Sequence, residues 1–229
     1  MRTRRLGGHA GAAGQSVSAQ ARLPCIVAKL GGSLAADASL ANWLRWLAHE
    51  GSARFVAVPG GGPFADAVRA AQQRWRLSED VAHAMAIGAM EQFGRMLCGI
   101  ELGSMPCSTL DQIEQAWSGG RLPVWMPVRL MEQDQELERT WDVTSDTIAA
   151  WLANSLGADG LLLVKSCELP NDQRDPAVLA AAGIIDAALP AYLSRKPMPL
   201  QVVRKEQWRE LPQLVTRMTS RTSPAKTNS

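Results

Sequence analysis

Cysteine, histidine and lysine are all scarce in this chain, and each scarcity excludes something. The 229 residues hold four cysteines, Cys25, Cys98, Cys107 and Cys167, far apart and with no CxxC pair. That spacing excludes a zinc ribbon or a disulfide framework and suits a reducing, cytoplasmic setting. One of the three histidines, His9, lies in a terminal segment, so no multi-histidine metal site is expected. No apolar run approaches the roughly 18 residues of a membrane helix. Gly160-Leu161-Leu162-Leu163-Val164 stops at Lys165, and no membrane partner is expected.

Positive charge is also missing from the part of the chain that would need it for nucleic acid. The formal net charge is +2, but Arg2, Arg4, Arg5, Arg22, Arg217, Arg221 and Lys226 all lie near the ends. Subtracting these seven from the 24 basic residues leaves 17 against 22 acidic ones, a body with net charge −5. A nucleic-acid partner is therefore not expected, since its recognition needs basic residues on the folded surface. Residues 1–22 lack a hydrophobic period and read as a disordered extension. They also lack an apolar signal core, so Arg4-Arg5 does not read as an export signal. The folded domain is expected over 23–215, followed by a flexible tail over 216–229.

What is there is an ordinary globular balance, 46% hydrophobic and 20% charged, with strand and helix patterns in alternation. Cys25–Leu30, Phe55–Val58, Leu122–Met126, Leu161–Val164 and Leu200–Val203 read as strands. Leu40–His49, Ala65–Trp75, Glu79–Ile100 and Ser145–Leu156 read as helices. The alternation predicts an α/β fold, a mainly parallel sheet with helices on both faces and ligands at the carboxyl ends of the strands.

Three loops, each following a strand or opening a helix, carry chemistry-bearing residues. In Lys29-Leu30-Gly31-Gly32-Ser33, glycines after a strand let backbone amides approach an anion, and Ser33 adds a hydroxyl. A plain turn with a snorkelling lysine would look similar. Only five of the 24 basic residues are lysines, however, so a lysine in an apolar strand points to a need for an ammonium. Gly60-Gly61-Gly62-Pro63 opens the next helix with exposed amides, a good anion site. Arg69 there could clamp an anion or pair with Asp66 one turn away. In the third loop, Trp141-Asp142-Val143-Thr144-Ser145-Asp146, a helix cap accounts for Thr144 or Ser145 and the dipole for Asp146. Asp142 and Trp141 are left without a role. Lys165 ends another apolar strand.

Taken together, Lys29-x-Gly31-Gly32-Ser33, Gly60-Gly61-Gly62-Pro63-x-Ala65-Asp66-x-Val68-Arg69, Asp142-x-x-Ser145-Asp146 and Leu156-Gly157-Ala158-Asp159 resemble the amino acid kinase family. The resemblance runs from about Ile26 to Val203. Within the family the chain looks most like the branch that phosphorylates an aminomethyl-furanylmethyl phosphate in methanofuran biosynthesis.

The resemblance implies a three-layer αβα sandwich that takes ATP, with Mg²⁺ held mainly through its phosphates. The γ-phosphoryl group would pass to a small anionic acceptor, a phosphate or carboxylate, in a homo-oligomeric enzyme. Lys29, Asp146 and Lys165 would then be catalytic, with Gly31, Gly32, Ser33 and Lys165 on the ATP phosphates. Gly60, Gly61, Gly62, Arg69, Asp142, Thr144 and Ser145 would face the acceptor, and no protein-held metal is implied. A catalytically silent nucleotide- or anion-binding protein on the same fold is the alternative. Many relatives carry a second lysine in a Gly-Gly-Met-x-x-Lys stretch. Here Ala182-Gly183-Ile184-Ile185-Asp186 puts an aspartate at that position. Lys165 could replace the lysine, Mg²⁺ could carry more of the charge, or activity could be weak. His83 could reach the acceptor or simply pack in the core.

Overall fold

The computed structural model describes residues 22–170 and 175–220. The expected extension falls outside that range except for Arg22, as does the expected tail beyond Ser220. The strands are β1 (Cys25–Leu30), β2 (Arg54–Pro59), β3 (Ser104–Cys107), β4 (Leu122–Trp125), β5 (Gly160–Lys165) and β6 (Leu200–Arg204). They form one sheet in the order β3-β4-β2-β1-β5-β6, every neighbouring pair parallel. The helices are α1 (Ser39–His49), α2 (Gly62–Trp75), α3 (Glu79–Ile100), α4 (Leu110–Ser118), α5 (Val128–Met131), α6 (Ser145–Ser155), α7 (Pro176–Ala181), α8 (Leu189–Arg195) and α9 (Leu211–Thr219). The α/β class and the mainly parallel sheet expected from the alternating pattern are both present.

Side-chain alternation along the strands decides what each face of the sheet meets. On β1, Val27 joins one core cluster, with Leu161 and Leu163 of β5 and Ile148, Ala149 and Leu152 of α6. Ile26, Ala28 and Leu30 join the other, with Trp43 and Leu44 of α1 and Leu211 and Leu214 of α9. Because both faces are covered, all six residues of β1 are buried and the strand reads as a continuous apolar run. Lys29 shares the parity of Val27, and Lys165 that of Leu163. Both lysines therefore point to the face that α6 covers.

The register brings the carboxyl ends of three strands level. Leu30 lies beside Pro59 of β2 and Val164 of β5. The loops that follow β1, β2 and β5 consequently leave the sheet together, at one edge of its central part.

Several elements have no counterpart in the sequence reading. β3 contains Pro106 and pairs only with β4, which an edge strand tolerates because its other side needs no amide donor. Thr109 caps α4 by accepting from the Gln112 amide at 3.2 Å. At the carboxyl end, α9 runs to Thr219, past the expected domain limit at residue 215. Leu211, Leu214, Val215 and Met218 form a buried stripe at helical spacing, so folding continues until that stripe ends.

Candidate active site

Asp146, in the first turn of α6, lies between the two lysines. Its Oδ1 is 2.8 Å from the Lys29 ammonium, an ion pair without the alignment of a good hydrogen bond. Its Oδ2 accepts a hydrogen bond from Lys165 Nζ at 2.6 Å. Lys29 is only 5% exposed and Asp146 2%. Burial of charge at this depth is costly unless it is paired, and here one carboxylate serves two ammonium groups. Burial pulls the Lys29 pKa down, but Asp146 and then Asp186 outweigh it and leave it raised. Lys165 goes the other way, lowered by burial and by the neighbouring Lys29 charge. Burial alone would raise the Asp146 pKa, but the two lysines hold it below the ordinary carboxylate value.

The glycine loops are packed against each other backbone to backbone. A Cβ on Gly32 would lie 2.3 Å from the Gly62 amide nitrogen, and one on Gly60 would lie 2.6 Å from that of Gly32. Gly62 adopts φ +57°, a left-handed conformation that favours glycine. Two of the expected ligand amides are already engaged: Gly31 N donates to Val164 O at 3.3 Å, and Gly60 N to Leu30 O at 2.9 Å. These bonds tie the loops to the strand ends. The amides of Gly32 and Ser33 open a short 3-10 helix (Gly32–Ala36) and those of Gly61 and Gly62 stand at the start of α2, where no carbonyl of their own helix can pair with them. Ser33 Oγ accepts from Ser166 Oγ at 2.7 Å, which joins the first loop to the residue after Lys165.

A cleft of about 530 Å³ opens beside these loops. Gly32, Ser33, Gly61 and Gly62 form one part of its wall, and Thr144 and Ser145 another. Arg69 and Asp66 of α2 also line it, together with His83 of α3 and Trp141. Arg69 pairs with Asp66 at 3.2 Å, and its guanidinium lies over the Trp141 ring at 4.3 Å. Trp141 Nε1 donates to Gln72 Oε1 at 2.7 Å, so α2 holds this indole by its face and by its edge. His83 Nδ1 is 3.3 Å from the Thr140 carbonyl, and burial lowers its pKa.

The structure therefore brings together most of the residues singled out from the sequence, in two groups. Lys29, Asp146 and Lys165 form the buried cluster; Gly32, Ser33, Gly61, Gly62, Arg69, Thr144 and Ser145 line the cleft. Asp142 joins neither: its side chain is exposed outside the cleft wall, and its carbonyl accepts from Ala188 N at 3.1 Å. The carboxylate that does line the cleft is Asp66.

Asp186 is the residue whose place the sequence left unaccounted for. Its carboxylate accepts from the amides of Thr144 (2.9 Å), Asp146 (3.1 Å) and Thr147 (2.9 Å), and from the Thr144 hydroxyl. Thr144, at the cap position of α6, makes no side-chain cap bond of its own. Asp186 caps the helix from 40 residues away. The aspartate at the family's lysine position is thus a structural partner of Asp146, and the second ammonium beside Asp146 belongs to Lys165.

Among the described residues no group of three or more His, Cys, Asp or Glu side chains could hold a metal ion. The two acids of the site are already occupied, Asp146 by lysines and Asp186 by helix amides. These residues do not fit a resident metal.

A six-stranded parallel sheet with two glycine loops and two lysines at its strand ends, and one aspartate at the start of α6 between the lysines, is the arrangement expected of the amino acid kinase family. The profile of that family matches residues 24–168, and the chain belongs to it. The chain is similar to (5-(aminomethyl)furan-3-yl)methyl phosphate kinase of Methanocaldococcus jannaschii, 28% identical over 132 residues. That alignment takes in 57% of this chain and 60% of the relative. Among solved structures, UMP kinase from Ureaplasma parvum superposes with a TM-score of 0.63 at 13% identity, covering 86% of this chain and 96% of that one. Uridylate kinase from Archaeoglobus fulgidus gives 0.58 at 14% identity, over 85% and 95% of the two chains. Among the described residues no helix is long and apolar enough to cross a membrane.

Proposed function

We propose that the protein transfers the γ-phosphoryl group of ATP to a small phosphorylated acceptor, and that this acceptor is an aminomethyl-furanylmethyl phosphate. The observation that carries the reading is the pair of ammonium groups, Lys29 and Lys165, held on a single carboxylate beside glycine-loop amides at the carboxyl ends of the central strands. Phosphoryl transfer asks little covalent chemistry of a protein. It asks for fixed positive charge where the transferring group and leaving oxygen develop negative charge.

In this reading an acceptor phosphate oxygen attacks the γ-phosphorus and the bond to the β-bridging oxygen breaks. ADP and a diphosphate ester result. A phosphate acceptor is already ionised near neutral pH, so no general base is required. Asp146 serves to orient the two ammonium groups, consistent with its depressed pKa. Lys29 and Lys165 neutralise the transferring and leaving oxygens, with Lys165 in the role of the lysine absent at Asp186. The amides of Gly32 and Ser33 face the nucleotide phosphates; those of Gly61 and Gly62 face the acceptor phosphate, with Ser145 and Thr144 alongside.

The finer identity of the acceptor is supported by the similarity to the Methanocaldococcus jannaschii kinase and by the character of the cleft. Asp66 can meet an ammonium, Arg69 an anion, and the apolar wall a small ring. The test is an ADP-release assay with ATP, magnesium and a panel of phosphorylated acceptors. The aminated furan phosphate is expected to turn over faster than UMP or isopentenyl phosphate. Preference for either of those would refute the acceptor, and ATP binding without turnover of any acceptor would favour the silent nucleotide-binding alternative.

A further inference from the structure

We infer that Asp186 is a positioning residue of the transfer site: it fills the amino-terminal end of α6 with its own carboxylate and so fixes Asp146 between the two lysines. The inference rests on the phosphoryl-transfer reading above. The amino-terminal end of an 11-residue helix such as α6 is ordinarily a place where a phosphate can bind. Here it is taken. Three amides and one hydroxyl converge on Asp186, which is half-buried. The contact is reciprocal, since the Asp186 amide lies 3.3 Å from Asp146 Oδ2, the oxygen that also accepts from Lys165. Incoming phosphates are thereby left to the glycine loops and the lysines, and the carboxylate that bridges those lysines is held from its own backbone upward.

The same geometry gives Asp186 an electrostatic consequence. The charged groups facing Lys165 are Lys29 from β1, Asp146 from α6 and Asp186 from the turn before α8. Arg204, beside it on β6, is already engaged by Glu168 and Glu206. Burial and Lys29 push Lys165 towards losing its proton, while Asp146 and Asp186 oppose that. Removing the Asp186 charge must therefore let Lys165 deprotonate at a lower pH.

Asp186→Asn, nearly isosteric, tests this by two independent readouts. In ¹⁵N/¹³C-lysine NMR, five lysines make the spectrum assignable with Lys165→Arg as reference. Lys165 should titrate at lower pH in Asp186→Asn than in the unaltered protein. In kinetics, kcat near neutral pH should fall about tenfold, with KM for ATP within about twofold, and the alkaline limb of kcat should move to lower pH. Asp186→Glu keeps the charge, so it should return the Lys165 titration towards that of the unaltered protein while kcat stays reduced. If Lys165 titration and the alkaline limb stay put in Asp186→Asn while only thermal stability falls, Asp186 is a cap and nothing more. If Asp186→Asn does not fold, Thr144→Ala removes one of its donors; an unchanged kcat there overturns the inference. The NMR titration needs no substrate, so it decides the role of Asp186 even if no acceptor is found.

Discussion

The buried cluster around Asp146 and the cleft beneath Trp141 are adjacent, yet they are built on opposite plans. In the cluster every charge has a partner, the groups are withdrawn from the surface, and the Asp146 and Thr147 amides at the start of α6 are taken by Asp186. In the cleft, charge sits on exposed side chains: Arg69 is 53% and Asp66 77% exposed at the side chain, and their pairing is of the kind that contributes little to stability. Side chains fixed in a dry site add most to steps in which charge develops. Side chains at an open wall can change partners and so govern which molecule enters. Rate is therefore expected to reside in the cluster and acceptor preference in the cleft.

The most damaging way to break that division is Lys29→Ala. Turnover should fall about 10³-fold, while thermal unfolding changes little because Asp146 keeps Lys165 as partner. A loss below about tenfold, roughly 1.4 kcal/mol of barrier, would remove Lys29 from the mechanism. Next comes Lys165→Ala, with an expected loss of about 10²-fold in kcat. In the unaltered enzyme kcat should decline with rising pH before the ordinary lysine value of 10.5 is reached, because the Lys165 pKa is lowered. The sign follows from its role: only the protonated form stabilises the leaving oxygen. A rate that holds to pH 10.5 would contradict it.

Substitutions in the cleft should alter KM for the acceptor and spare kcat. Arg69→Ala is expected to raise it about tenfold with KM for ATP unchanged, and Asp66→Asn to raise it severalfold for amine-bearing acceptors only. Asp142→Asn, outside the wall, should leave every kinetic constant within about twofold. Comparable effects of Asp66→Asn and Asp142→Asn would mean that the acceptor leaves the cleft by a different side.

Much of the cluster was legible in the sequence, for local reasons. Each lysine closes an apolar strand, lysine is rare in this chain, and two-residue alternation sets both on one face of the sheet. The glycine loops were legible because close backbone approach leaves few alternatives to glycine. What was not legible depends on distant contacts. Asp186 meets α6 across 40 residues, and no local pattern announces it. The exclusion of Asp142 from the cleft follows from how Trp141 is held by Gln72 and Arg69, a contact spanning 69 residues in the case of Gln72. β3 was hidden by its proline, and the end of α9 by its nearness to a polar terminus.

The seam between Gly32 and Gly62 has a consequence for how such a protein can change over evolutionary time. With main chain against main chain, the gap between the two loops is a fixed gauge: a side chain at Gly32 or at Gly60 would run into the facing backbone, so neither position can widen or narrow it by degrees. Any methyl group there forces the loops apart as whole units. If the proposed transfer holds, variation in acceptor choice must accumulate elsewhere, on α2 and on the segment carrying Trp141, where a side chain can be exchanged without changing the spacing of the two loops.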